Sequence, residues 1–581
     1  MQLLLRVCLS LAFWLPLFAQ RKTPVTEWIA NQAIPLSTVE PRHGFADLQP
    51  LKKALAGARI VGLGEATHGT SEFFRLKHRL LEFLATEMGF TIFAIEGDMA
   101  AASRLNDYVL RGEGDPEKLL GFLYCNHQEV LDMIHWMREF NQSGRGHLEF
   151  TGFDMQNVST SGAVVRGFTG KYDPDYIDTV QSAIATSRNA RWVLPVQKSA
   201  SANATFPLAA AAGKKLRISG FIKTEKVDER AAIWLRVEGP ERKLLAFDDM
   251  ADSKVGGSEN WKEYSVELPV SSQATNVAFG MALYGGGTAW FDDLKVELDG
   301  AIYDNPALFD FTFEAPSPRG FYLGAGLKYS VLFDKVGAHG GKQSLRIQRI
   351  DAPYAPTEGT DPAAAATAWG GIAAHLFEGS EGYLAKKASA GEIAWAIQNA
   401  RIAQQCMQAR ANQVPRDRSM AENIKWTLDR SPGAKIVLWA HNGHVRTSGT
   451  GNNRTMGAYL REMFPERMVT MGFSFYEGSF EARSQELGRF KDFTVPPAPP
   501  GSLDAALAAT GLSPFALDLR QLPKTGVVAE WFKAPRQSRT IGITYPEDSP
   551  YANLATFNAS EAFDMLLFVA KTTAARKNPP H

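Results

Sequence analysis

The sequence predicts an α/β fold, a mostly parallel sheet with flanking helices, interrupted by an inserted all-β sandwich. Three observations predict it. From Ala58 onward, short apolar runs ending in a polar residue alternate with amphipathic helical stretches, the pattern of βαβ units. Between Arg191 and about Asp351 helical periodicity gives way to short alternating runs separated by Gly, Ser and Asn. After residue 360 the helix and strand alternation resumes. The β region is therefore read as an insertion into one discontinuous domain, since loop tips tolerate insertion.

Taken in order, "ARIVGLGEATHG" is a buried strand and its exit, followed by "SEFFRLKHRLLEFLATEMG". There Phe73, Phe74, Leu76, Leu80, Phe83 and Leu84 recur at helical spacing and Gly89 closes the helix. "FTIFAIEGD" is the second strand, "SRLNDYVLRG" and "NHQEVLDMIHWMREFN" are helical, and "LEFTGFDMQ" is the third strand. The insertion contributes "KLRISGFIKT", "AAIWLRVEG", "WKEYSVELPV", "TNVAFGMALYG", "GTAWFDDLKVEL" and "KQSLRIQRI". Then come the helices "GEIAWAIQNARIAQQCMQARANQ" and "RDRSMAENIKWTLDRS", the strand "AKIVLWAHNGHV", and strand-like runs at "RMVTMGFSF", "RTIGITY" and "FDMLLFVAK". The expected division is 1–19 signal peptide, 45–190 first part of the α/β domain, 191–351 inserted sandwich and 360–575 second part.

At 581 residues the chain is longer than one hydrophobic core usually grows, so more than one domain is expected. Lys+Arg and Asp+Glu both number 62, so no net field recruits nucleic acid or an anionic membrane surface. The N-terminus carries Arg6, an apolar stretch from Val7 to Phe18 and then Ala19, the layout of a cleavable signal peptide. The run is short for a membrane span and contains Pro16, so export to the periplasm or beyond is expected, with no integral membrane segment after cleavage. Outside that segment only Cys125 and Cys406 occur: a disulfide between them is permitted there, but two cysteines are not a framework.

In an open parallel sheet, ligands bind outside the carboxyl ends of the strands. Glu65 and His68 follow the first strand, Glu96 and Asp98 the second, Asp154 the third, and His441 and His444 the strand "KIVLWA". Singly, each is as readily a helix cap or a structural histidine. Together, four strand exits bring carboxylates and imidazoles to one edge. There is no GxSxG elbow, no GxxxxGK[ST] loop and no GxGxxG after a strand, so covalent serine catalysis and nucleotide binding lack their usual support. Histidine and carboxylate pairs suit general acid–base activation of water. The same residues could hold a divalent metal, although the spacing of "HNGH" is a weaker metal signal than HxxxH on a helix.

The segments "GEATHGTSEF", "FAIEGD", "NDYVLRG", "NHQEVLDMIHWMREFN", "FTGFDMQ", "RDRSMAEN", "WAHNGHV" and "FDMLLFVA" together resemble the erythromycin esterase family, over about 45–190 and 360–575. The resemblance implies an α/β fold and metal-independent, cofactor-free hydrolysis of an ester or lactone by histidine-activated water. It implies His68 as general base, Glu65 as the acid beside it, Glu96 at the second strand end, and one or both of His441 and His444 polarising the ester carbonyl or orienting water. The family's arginine on the following helix is matched by Lys77, with Arg75 and Arg79 nearby; a lysine does not reproduce a forked guanidinium contact. Lys77, Arg75 and Asp154 are the expected substrate-binding residues, and a small ester or lactone is the expected substrate. The insertion, chiefly "GTAWFDDLKVEL" and "FTFEAPSPRGF", is similar to jelly-roll carbohydrate-binding modules; Trp290 could stack on a sugar or lie in the core. The alternatives are a metal-dependent hydrolase using the same residues and a non-catalytic glycan-binding or polysaccharide-assembly protein.

Overall fold

The computed structural model describes residues 23–578, apart from 122–125, 191–197, 240–242, 307, 316–318, 325–328, 351–358, 450–453, 485–486 and 547–552. The proposed signal segment and Cys125 lie outside the described residues.

The main sheet is built on strands β1 (Ile60–Leu63), β2 (Ile92–Asp98), β3 (Glu149–Asp154), β4 (Ile436–Trp439), β5 (Met468–Ser484), β6 (Phe515–Asp518) and β7 (Met565–Thr572). Their spatial order is β6-β7-β5-β1-β4-β2-β3. From β7 to β3 every neighbouring pair is parallel, while β6 runs antiparallel to β7. β4 enters between β1 and β2, pairing Trp439 with Leu63 on one side and Ile95 on the other. The chain that returns after the insertion thus completes the centre of the sheet begun before it. All four residues of β1 and of β4 are buried, as expected of central strands covered on both faces.

One face is covered by α1 (Ser71–Met88) and α3 (Gln128–Gln142); α2 (Met99–Arg111) precedes α3. Phe73, Leu76, Leu80, Val130, Ile134 and Met137 pack there against Val61, Phe93 and Val437. α1 stops as its sequence predicts, with Gly89 at φ 70° in the left-handed region. The other face is covered by α6 (Arg416–Arg430), α7 (Asn442–Val445) and α8 (Met456–Met463), whose Met420, Ile424, Leu428, Val445 and Leu460 pack on Ile60, Ile92 and Leu438. α4 (Val158–Tyr172), the helices Ile177–Arg188 and Pro362–Glu378, and α5 (Ala390–Arg410) bury a further core around Trp369.

The sheet extends past the predicted start of the domain. Ile34–Pro35 pairs antiparallel with Phe515–Ala516, an edge too short to leave a periodic signal.

The insertion is a sandwich of two antiparallel sheets running from Ser199 to Arg349. Inward-facing Ile218, Ile222, Ile233, Leu235, Phe279, Met281, Phe291 and Ile347 share its own core. Its ends meet: Thr360 donates from N to Asn189 O at 3.1 Å and from Oγ1 to Thr186 O at 2.8 Å. Trp290 belongs to the packed structure: it is 9% exposed, and its indole N–H donates to Asp334 at 2.8 Å. Lys223 lies over its ring. Among the described residues no helix is long and apolar enough to cross a membrane.

Candidate functional site

The turn after β1 is shaped by close approach. A Cβ on Gly64 would stand 2.1 Å from Asn442 Oδ1, and one on Gly69 would stand 2.2 Å from the Glu481 carbonyl oxygen. Neither glycine has positive φ; the missing side chains let α7 and β5 abut the turn. Asn442 links the layers, donating from N to Glu65 O at 2.8 Å and bridging both backbone groups of Phe473 at 2.7 and 3.0 Å. Ile541 supplies a second tie: its N–H donates to Ala66 O at 2.7 Å, and its carbonyl faces His441 Nε2 at 3.2 Å.

This scaffold holds Glu65 with no exposed surface. Its Oε1 is 2.7 Å from His68 Nδ1, and its Oε2 accepts from Lys77 Nζ at 2.6 Å and from the Trp439 indole at 2.7 Å. Burial pushes this carboxyl up, but the Lys77 charge and the His68 and Lys77 hydrogen bonds outweigh it and hold the group at about 2. Lys77 lies 4.2 Å from the Trp439 ring centroid, where the π face offsets part of its desolvation. With Glu65 ionised, His68 donates from Nδ1, which makes Nε2 the basic nitrogen. The His68 side chain is 14% exposed and so reaches the surface from a buried partner.

Arg416 organises the second half. Its Nε and Nη2 fork onto Asp154 at 3.1 and 2.6 Å, Nη2 also donates to Glu96 at 2.9 Å, and Nη1 lies 3.2 Å from His444 Nε2. Glu96 accepts the His441 backbone N–H at 2.9 Å and has His444 Nε2 at 3.4 Å. Burial raises its pKa, yet His444, Arg416 and His68 together hold it far below the ordinary carboxylate range. His444 Nδ1 is held by Asp417 at 2.9 and 3.0 Å. Burial lowers the His444 pKa, but Glu96 and Asp417 prevail and raise it. Protonated His444 can donate to Glu96; neutral His444 can accept from Arg416.

Of the seven strand-end residues, Glu65, His68, Glu96, Asp154, His441 and His444 converge, with divided roles. His441 lies beside His68, ring centroids 5.0 Å apart and tilted by 41°, but spends both nitrogens on the backbone: Nδ1 accepts from Gly443 N at 3.1 Å and Nε2 donates to Ile541 O. Burial, reinforced by His68, lowers its pKa to about 3, so it stays neutral and caps α7. The expectation that it acts on the carbonyl is corrected. Asp98 caps α2 through Ala101 N at 2.8 Å, the ordinary role for Asp after a strand.

The three expected substrate-binding residues also have other work. Lys77 has no exposed surface and neutralises Glu65 from beneath. Arg75 pairs with Glu40 and with Glu72. Asp154 is buried and positions Arg416. Cys406 is a buried thiol whose pKa burial pushes up to about 11; its Sγ donates to Gln156 O.

Arg416, Asp417 and Trp439 were not singled out from the sequence. One signal existed: Arg416 is the first residue of α6, where the helix dipole disfavours a cation unless carboxylates hold it. Among the described residues no group of three or more His, Cys, Asp or Glu is arranged around a metal position. The donor set explains why, since Glu65 and Glu96 already turn their oxygens to Lys77, Trp439 and Arg416.

The family model for erythromycin esterase matches residues 85–232 and 356–572, starting beyond the Glu65–His68 turn. An erythromycin esterase type II of Escherichia coli is 33% identical over 131 residues, 22% of this chain and 31% of that protein. The chain spans about a third of the length of the curated relatives it matches. A solved Bacillus cereus protein superposes with a TM-score of 0.60 at 20% identity, covering 96% of this chain and 98% of that one. A mutant of the erythromycin esterase EreC in its open conformation superposes at 0.51 and 13% identity, covering 94% and 98%. At those identities the superpositions establish the shared fold, and with the family match they establish that the chain belongs to the erythromycin esterase family.

Proposed function

We propose that this protein hydrolyses a small carboxylic ester or lactone by direct attack of water. The observation that carries this reading is the buried Lys77–Glu65–His68 chain, which ends at the surface in an imidazole of fixed tautomer. His68 Nε2 takes a proton from water as the oxygen attacks the carbonyl carbon. Glu65 supports the imidazolium that forms, and Lys77 and Trp439 keep Glu65 ionised and oriented. Arg416, 29% exposed, and His444, 22% exposed, face the negative charge that develops on the carbonyl oxygen. As the tetrahedral intermediate collapses, His68 returns its proton to the leaving alkoxide.

The occupied carboxylates favour this over the metal-dependent alternative, because an ion would have to displace Lys77 or Arg416 from buried partners. The non-catalytic glycan reading loses its best stacking residue with Trp290 packed away. Export through the N-terminal segment remains part of the proposal.

The test is hydrolysis by the full chain of a panel of lactones, sugar esters and aryl esters, with and without chelator. Turnover that is indifferent to chelator and lost in His68→Ala is expected. Turnover that chelator abolishes and a divalent ion restores would replace the metal-free mechanism.

A further inference from the structure

Arg446, two residues beyond His444, differs from every other arginine at the site. Arg416 spends its guanidinium on Asp154, Glu96 and His444. Arg446 is half-buried, yet among the described residues its guanidinium makes no hydrogen bond and no ion pair, and its Nε is shut off from solvent without a partner. The backbone leaves it little room to escape: its N–H donates to Asn442 O at 3.1 Å, and its carbonyl accepts from Thr455 Oγ1 at 2.5 Å. Asp417 is the carboxylate whose charge acts on it, but both Asp417 oxygens are taken, by His444 Nδ1 and by the Met456 N–H. The other group in its field is Tyr322, which the inserted sandwich projects with 51% of its surface exposed. The strand Tyr322–Gly324 lies against Leu554–Phe557 of the α/β domain, so Arg446 stands where the insertion meets the catalytic edge.

A half-buried cation without a counter-charge is costly, and an unpaired buried donor costs its desolvation in full. Among the described residues Asp154, Glu96 and Asp417 are committed to other donors, which leaves this guanidinium open to an anionic partner from solution. We propose that Arg446 binds a carboxylate on the substrate, so that the ester cleaved at His68 is one that also carries an acidic group, held at the seam with the inserted domain. The proposal rests on the hydrolase reading for its catalytic half and on the geometry of Arg446 for its binding half.

The experiment has one arm for each. In the binding arm, glutarate and its uncharged diamide are titrated calorimetrically into the full chain, its Arg446→Gln variant and its Arg446→Lys variant. Glutarate binding that is absent for the diamide, at least about tenfold weaker in Arg446→Gln and partly restored in Arg446→Lys is expected for a charge-assisted contact. Equal binding of glutarate by all three proteins, or none by the wild type, would overturn the proposal. In the catalytic arm, kcat/KM is compared for the 4-nitrophenyl monoester of glutarate and its neutral methyl diester. The ratio of the two should favour the acid and fall about tenfold in Arg446→Gln. An unchanged ratio would overturn the proposal, whereas loss of all turnover with glutarate binding intact would overturn the hydrolase reading alone.

Discussion

Glu65 is the residue on which the site's electrostatics turn. Its folded pKa, at about 2, lies below its ordinary value, so its ionisation stabilises the fold above the ordinary carboxylate range. That stability is lost as pH falls from about 4.5 towards 2. Unfolding by urea across that window should show wild type losing stability more steeply than Glu65→Gln; parallel curves would mean the carboxylate is not held as described. Lys77→Met leaves Glu65 charged and buried, and should cost about 3–5 kcal/mol, the usual result of breaking a buried pair from one side. His444 has the opposite sign: its pKa is raised, so its charged form persists below that value and is lost above it. Asp417→Asn removes a support of that charge, so the alkaline limb of the kcat/KM profile should move to lower pH. The places of His68, Glu65, Glu96 and His444 were legible because each stands at a strand exit. Asp154 was legible in place but not in purpose, since a sequence shows which edge a carboxylate reaches and not that Arg416, arriving from a distant helix, will claim it.

The strand–turn–helix element holding Glu65 and His68 owes its shape to neighbours far away in the chain. Helix α1 was readable to its last residue because apolar spacing and a left-handed glycine cap are local. The turn's glycines answer to contacts that are not local: Gly69 is required by the Glu481 carbonyl and Gly64 by Asn442. Gly69→Ala should therefore destabilise by about 2 kcal/mol or more, because backbone cannot yield as a side chain can. Gly433, at φ 83° with open space around it, makes the control; its substitution strains only the backbone. Chemical denaturation of both variants separates contact from conformation. α7 teaches a related lesson, since His441, expected at the ester carbonyl, is the residue that caps this helix.

The whole molecule is an α/β domain and an inserted sandwich threaded by one chain. Its alternation of helix and strand announced the split sheet, and the loss of helical periodicity announced the sandwich. Neither the Ile34–Pro35 edge nor the seam at Tyr322 has a periodic signature, because both are made by pairing rather than by pattern. Since Asn189 and Thr360 are hydrogen-bonded neighbours, replacing residues 191–358 with a short Gly/Ser linker should leave a cooperatively folding α/β domain, checked by calorimetry; an unfolded product would show that the sandwich supports the sheet. Within this framework the proposed chemistry requires Glu65 and His68 to act as one unit on water. The direct measurement is a double-mutant cycle in kcat/KM on an ester the protein turns over, using Glu65→Gln, His68→Ala and the pair. A loss of about a thousandfold or more in His68→Ala, with the double variant no worse, is the outcome expected of a functional unit. Losses that simply multiply, or a His68→Ala protein that retains its rate, would contradict it.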